Sequence, residues 1–188
     1  GAGLIVENTQ DATRALGLLP SHCIDDLIYV DFSDPSHVHC MNPLQGMRDN
    51  PARAYRSANS FCYLVKSDVE THNSAGPMID SVVGKLVGMG GRRRDRNGTL
   101  MDMTRALEDR RFLDALMANS LDQQAVANWK QLMLASGDNG YQTWVPYTHA
   151  RFAPWTSSPS SKRFLGRPNS TIDLLKVMNE RKIIIFNL

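Results

Sequence analysis

The residues able to do chemistry fall into a few short stretches of this 188-residue sequence. GGRRRDRNG, at 90–98, sets Arg92, Arg93, Arg94 and Arg96 against a single aspartate, between glycines that mark turns. Guanidinium groups grip phosphate oxygens through a planar fork of donors, so contact with a DNA backbone is the chemistry this pattern offers. The competing account is a solvated, exposed loop between two helices. HVHC, at 37–40, places His37 and His39 on one side of an extended segment ahead of Cys40. Zinc needs four ligands at recurrent spacing. No second pair stands at such spacing, and His22-Cys23 does not supply one, so incidental histidines are the better account. Gly84-Lys85 in SVVGKLVG is followed by leucine, where a phosphate loop carries Ser or Thr for Mg²⁺, and it lies inside a helical pattern. Cys23, Cys40 and Cys62 are odd in number and form no CxxC pair, which suits a reducing compartment better than a disulfide framework. None sits in a context that marks an activated thiol. The chain is therefore assigned no catalytic, cofactor-binding or metal-binding residue, and the four arginines are its candidate DNA contacts.

Composition bounds the rest. Charged residues make up 21% and apolar ones 42%, ordinary values for a globular protein, and the net charge of +2 does not by itself argue for nucleic acid. No run approaches the ~20 apolar residues of a membrane-spanning helix, so neither such a helix nor a secretory leader is expected within these residues.

The elements that must position these residues follow from periodicity. A first strand is expected over GLIVEN (3–8), then a helix capped by Thr9, with Ala12, Ala15, Leu16 and Leu19 on one side and Pro20 at its end. Leu27 to Phe32 reads as a second strand. Together these form a βαβ unit, which implies parallel pairing. Residues 36–55 read as a loop. GPMIDSVVGKLVGMGG (76–91) has helical spacing, with Met78, Ile79, Val82, Val83, Leu86 and Val87 on one face. Two short helices are expected within 99–120 and another over 122–136, with Trp129, Leu132 and Met133 facing inward. The stretch 137–161, rich in Gly, Pro and Ser, reads as a long irregular connection. A helix from Ser170 or Thr171 to Glu180 then feeds KIIIFNL, whose apolar run reads as a strand buried on both faces. The expected class is α/β: a parallel sheet interrupted by a mostly helical insertion, with the first part of the core over 1–50, the insertion over 51–160 and the return over 161–188.

Several stretches, in order, resemble the conjugative-transfer branch of the HerA/FtsK-like P-loop ATPases, which includes the DNA-coupling ATPases of type IV secretion. Near the start these are LIVENTQDA, Leu18-Leu19-Pro20, DDLIYVDFSDP and Asn42-Pro43-Leu44. TLMDMTRALEDRRFLDALMANSLDQQAVANW is similar to the family's helical insertion. RFLGRP (163–168), Ser170-Thr171-Ile172-Asp173, Met178-Asn179-Glu180-Arg181-Lys182-Ile183 and Asn187-Leu188 follow. The chain departs from the family at Glu7-Asn8-Thr9-Gln10, where Asp-Pro-His/Lys-Gly is frequent, and at Asn128-Trp129.

The resemblance implies a RecA-like parallel sheet and a parent that forms a ring, expected to be hexameric, and moves DNA with Mg²⁺-ATP between subunits. It implies a cytoplasmic protein, its parent at the inner membrane, with no membrane contact by this chain and with secretion or relaxosome proteins as possible partners. The family's phosphate loop and its Asp-Glu strand end are expected outside residues 1–188. This chain alone is then expected to hold no ATP and to hydrolyse none. The alternative is a non-enzymatic DNA-binding or protein-interaction module of the same architecture.

Overall fold

A computed structural model describes residues 2–6, 8–32, 34, 39–66 and 76–187. The chain is mixed α/β and mostly helical, with one small parallel sheet. It divides into two compact units, residues 1–41 with 170–188 and residues 42–169.

The first unit holds strands β1 (Ala2–Val6), β2 (Leu27–Asp31) and β3 (Ile183–Asn187), and helices α1 (Thr9–Gly17) and α8 (Leu174–Asn179). All strand pairs are parallel, in the order β1-β3-β2. The βαβ reading therefore has the right direction but not the right neighbours, because β1 and β2 flank β3 instead of pairing with each other. Ile184 and Ile185 point to opposite faces by strand alternation, yet both are buried. A strand apolar on both faces is poorly placed at an edge, and its backbone is satisfied by a partner on each side. Ala12, Ala15, Leu16 and Leu19 of the α1 segment pack against Ile185, Ile183, Leu27 and Tyr29, as their spacing predicts. Burying one such isoleucine contributes roughly 1.5–3 kcal/mol.

The caps differ from expectation. Asn8, not Thr9, caps α1, accepting from the Asp11 amide at 2.9 Å. Glu7 lies outside the described residues. Neither Ser170 nor Thr171 starts α8. The amides of Thr171 and Ile172 donate to the Cys40 carbonyl, at 2.9 and 3.3 Å, and the Cys40 amide donates to Thr171 Oγ1 at 2.8 Å. That pairing keeps Thr171 and Ile172 out of the helix and moves the cap to Asp173, which accepts from the Lys176 amide. α8 ends in a Schellman closure. The Lys182 amide donates to the Val177 carbonyl and the Arg181 amide to that of Met178, with Arg181 at φ 58°. A left-handed arginine costs about 1 kcal/mol where glycine costs little. Arg181→Gly is expected to stabilise this unit by roughly that amount, checked by amide exchange along β3. Faster exchange would count against the closure.

The second unit is helical: α2 (Pro51–Lys66), α3 (Gly76–Gly91), α4 (Leu100–Glu108), α5 (Arg110–Ala118), α6 (Gln123–Thr156) and α7 (Pro159–Leu165). Val82, Val83, Leu86, Val87 and Met89 make α3 its buried centre, packed with Leu100, Met103, Leu113, Leu116 and Trp129. The side chains of Met78 and Ile79 lie outside the described residues. Leu44 and Met47 join this core, so the chain enters the helical unit before α2 begins.

The largest departure is 137–161. It is helical to Thr156, then α7, with one break at Gly137, where φ is 64°. Proline in a helix removes a donor and clashes with the turn before it, so Pro146 and Pro154 argue for a loop. Packing overrides them: Val145, Thr148 and Phe152 are buried against the core, and Thr148 and Thr156 donate their hydroxyls to carbonyls one turn back. No helix among the described residues is long and apolar enough to cross a membrane.

Candidate nucleic-acid interface

The arginine-rich turn links α3 to α4. α3 ends at Gly91, and the chain then runs alongside residues 119–121. The Arg94 amide donates to the Asn119 carbonyl at 3.0 Å, and the Leu121 amide to that of Arg92 at 2.7 Å. The turn closes tightly: a Cβ on Gly98 would stand 1.7 Å from the Gly90 carbonyl oxygen. Only a residue without one allows that approach.

Three of the four guanidinium groups are answered from inside the unit. Arg93 donates to both oxygens of Asp95, at 2.9 and 2.5 Å, and to Asp102 Oδ1 at 3.2 Å. Arg96 donates to the same Asp102 oxygen at 2.6 Å and to the Asn97 carbonyl at 3.0 Å. Arg92 faces Asp122 at 3.8 Å, and its buried Nε finds no partner among the described residues. The cluster is therefore not the freely solvated loop that its composition predicts: the Arg93 side chain is 12% exposed. Arg94 differs from the rest, being exposed with no side-chain hydrogen bond or ion pair among the described residues.

Asp102 organises the turn. Its second oxygen accepts from the Thr99 amide at 2.9 Å and hydroxyl at 3.1 Å, while Thr99 Oγ1 accepts from the Asp102 amide, completing a capping box at the start of α4. One carboxylate thus starts a helix and pairs with two arginines. Asn42, 3% exposed, is a second organiser. Its amide nitrogen donates to the carbonyls of Gly98 and Pro168, at 2.8 and 2.7 Å, and its oxygen accepts from the Leu44 amide. The Asn-Pro-Leu, Thr-Leu-x-Asp and Leu-Gly-x-Pro stretches, far apart in sequence, therefore meet at one turn. Sequence reasoning assigned no role to Asn42, Thr99 or Asp102. The signal was the Thr-x-x-Asp spacing ahead of an apolar run.

Arg93 and Asn119, both hydrogen-bonded to Asp95, hold its carboxyl well below the ordinary 3.8, at about 2, with the arginine bond the largest cause. A depressed carboxylate stabilises the fold above its unfolded value and loses that contribution as pH falls through the folded one. The turn is therefore expected to loosen between about pH 4 and 2. Carbon NMR titration of Asp95 should give a midpoint near 2, moving toward 3.8 in Arg93→Gln. A native midpoint at the ordinary value would remove the pairing.

The other candidates do not gather. His37 lies outside the described residues, and Cys40 is buried with its backbone tied to Thr171. His22 is exposed in the turn before β2. Gly84-Lys85 lies in the middle of α3, where the backbone amides are spent on helix bonds and cannot cradle phosphate. Comparisons with protein-family models, with curated proteins and with solved structures returned no match to this chain.

Proposed function

We propose that the chain is a segment of a P-loop ring ATPase that translocates DNA in conjugation or type IV secretion. On this reading residues 1–41 and 170–188 belong to its RecA-like core and 42–169 form its helical insertion. The observation that carries the reading is the strand order. The chain leaves a parallel sheet after β2, builds a helical unit, and returns as the strand between β1 and β2. That is how an insertion in an α/β core must behave, since a parallel strand needs a crossover before it. The convergence of the family-like stretches on Asn42 adds support.

ATP and Mg²⁺ would be held by parts of the parent other than these residues, and no step of hydrolysis is assigned to this chain. The parent would be a cytoplasmic ring, at the inner membrane where it meets secretion proteins. Reading the coding sequence on both sides of the segment tests this directly. The expected finding is a phosphate loop upstream and an apolar strand ending in Asp-Glu downstream. Flanks lacking both would sink the motor.

A second reading, a non-enzymatic DNA-binding module, is favoured by the exposure of Arg94. With Arg92, Arg93 and Arg96 committed to carboxylates, Arg94 is the cation of this turn best placed for a phosphate. Arg94→Ala is expected to weaken duplex binding uniformly across sequences and to lower the salt slope by about 1. Fluorescence anisotropy over a salt series reads both, and an unchanged slope would remove the turn as a DNA contact.

A further inference from the structure

Lys85 is chemically conspicuous for what surrounds it. It lies mid-way along α3, a helix that is otherwise the apolar centre of its unit. Its Nζ turns back along the helix, donating to the Ser81 carbonyl at 3.2 Å and contacting Ser81 Oγ. Among the described residues no carboxylate pairs with it. The amine lines a groove of about 410 Å³ whose walls combine small residues of α2 and α3, Ala54, Ala58, Gly84 and Gly88, with the side-chain amides of Asn59, Gln124 and Asn128, and with Tyr55 at its side. Tyr55 is 71% exposed, so the groove opens to solvent. The carboxylate that lines it, Asp122, is engaged elsewhere, accepting from the Ala125 amide at 2.9 Å and facing Arg92.

An ammonium group that no carboxylate among the described residues pairs with, in a partly buried and largely apolar groove, loses solvation, and this favours the neutral amine. Burial accordingly pushes Lys85 below its ordinary value, with the Cys62 thiol pulling the other way. A neutral, accessible amine is a nucleophile toward carbonyl carbon. The groove beside it fits a short hydrocarbon tail, and the one described carboxylate in its lining, Asp122, is already engaged.

We infer that Lys85 is a reactive amine and that its groove captures small aldehydes with a short apolar tail as imines. The nitrogen lone pair adds to the carbonyl carbon. The carbonyl π pair moves to oxygen, which takes a proton from the nitrogen. The resulting carbinolamine expels water to leave the C=N bond, with no change of oxidation state. Ser81 holds the nitrogen at the mouth of the groove and can exchange a proton with it.

The test uses the native chain, butanal and cyanoborohydride at pH 7.5, which reduces each imine to a stable butyl-lysine, followed by peptide mass mapping over time. Lys130 and Lys176 are exposed lysines on α6 and α8 and serve as internal references. Lys85 is expected to react at least about threefold faster than either, as an activated amine does, with a rate that saturates in butanal. Lys85→Arg should remove the fast, saturable phase and leave the reference rates unchanged. A Lys85 rate equal to or below the references overturns the proposal. So does a rate linear in butanal, or a fast phase that survives in the arginine variant.

Discussion

Gly98→Ala is expected to destabilise the 42–169 unit by about 3–5 kcal/mol, among the largest effects a single methyl group produces. A Cβ at this position would lie 1.7 Å from the Gly90 carbonyl oxygen and 2.6 Å from its carbon. The obstacle is backbone, at the end of the helix that forms the centre of the core, so no side-chain rotation relieves it. Gly98 cannot retreat either, because its own carbonyl is held by the buried Asn42 amide. Either the turn peels from α3 and breaks the Asn42 bonds, or the end of α3 shifts against Met103 and Leu116, which pack beside Gly90. All three tryptophans, Trp129, Trp144 and Trp155, lie in this unit, so urea unfolding followed by their fluorescence reports it selectively. Gly84→Ala, within the same unit, is the control, the added carbon meeting only Cys62 Sγ at 3.8 Å, an ordinary contact. It should change stability by less than about 1 kcal/mol, toward stabilisation. If the two substitutions prove equivalent, the close approach of Gly98 to Gly90 is wrong.

Asp102→Ala carries the second large effect, a loss of about 3–5 kcal/mol, as expected when one partner of a buried ion pair is removed. Asp102 is 6% exposed and answers both Arg93 and Arg96 through one oxygen. Its removal strands Arg93 with only Asp95 and leaves the start of α4 without half of its capping box. Asp102→Asn keeps the shape and an acceptor for the Thr99 amide while removing the charge. It should therefore cost clearly less than alanine, and the gap between the two measures how much of the effect is the cap. The same substitution has a consequence for binding. Arginines freed from Asp102 raise the local positive potential, so the folded asparagine variant should bind DNA more tightly at low salt, with a steeper salt slope. If both variants unfold at the parent midpoint, the network has no part in holding the turn.

Much of the local structure was legible. The four-apolar run of β3 marked a strand buried on both faces, and Ile184 and Ile185, on opposite faces, are both buried. The spacing of Val82, Val83, Leu86 and Val87 marked the buried face of α3, and GPMIDSVVGKLVGMGG spans the helix. α4 and α5 followed from the apolar positions around Leu100, Met103, Leu113 and Leu116. The stretch 137–161 reads as a connection because its glycines and prolines are local signals. Val145 and Phe152 outweighed them with contacts that local reasoning does not contain. The start of α8 is displaced for the same reason: the carbonyl that accepts from the Thr171 amide belongs to Cys40, 131 residues away.

For the candidate site the division is sharper. The sequence by itself determined that four arginines stand together in a glycine-bounded turn, and that Thr99 and Asp102 are spaced to start a helix. These are facts of covalent order and helical period, which span a few residues. Tertiary structure alone decided what the arginines do. It brought Asp102, Asp122 and the 119–121 strip to the turn, spent three of the four charges on them, and left Arg94 to solvent. It also decided that β3 separates β1 from β2, because pairing partners are chosen by burial across the whole chain. The physical reason is common to both cases. Periodicity and capping act within a turn or two of backbone, whereas the answer to a charge or a strand edge comes from whichever distant segment the core brings beside it.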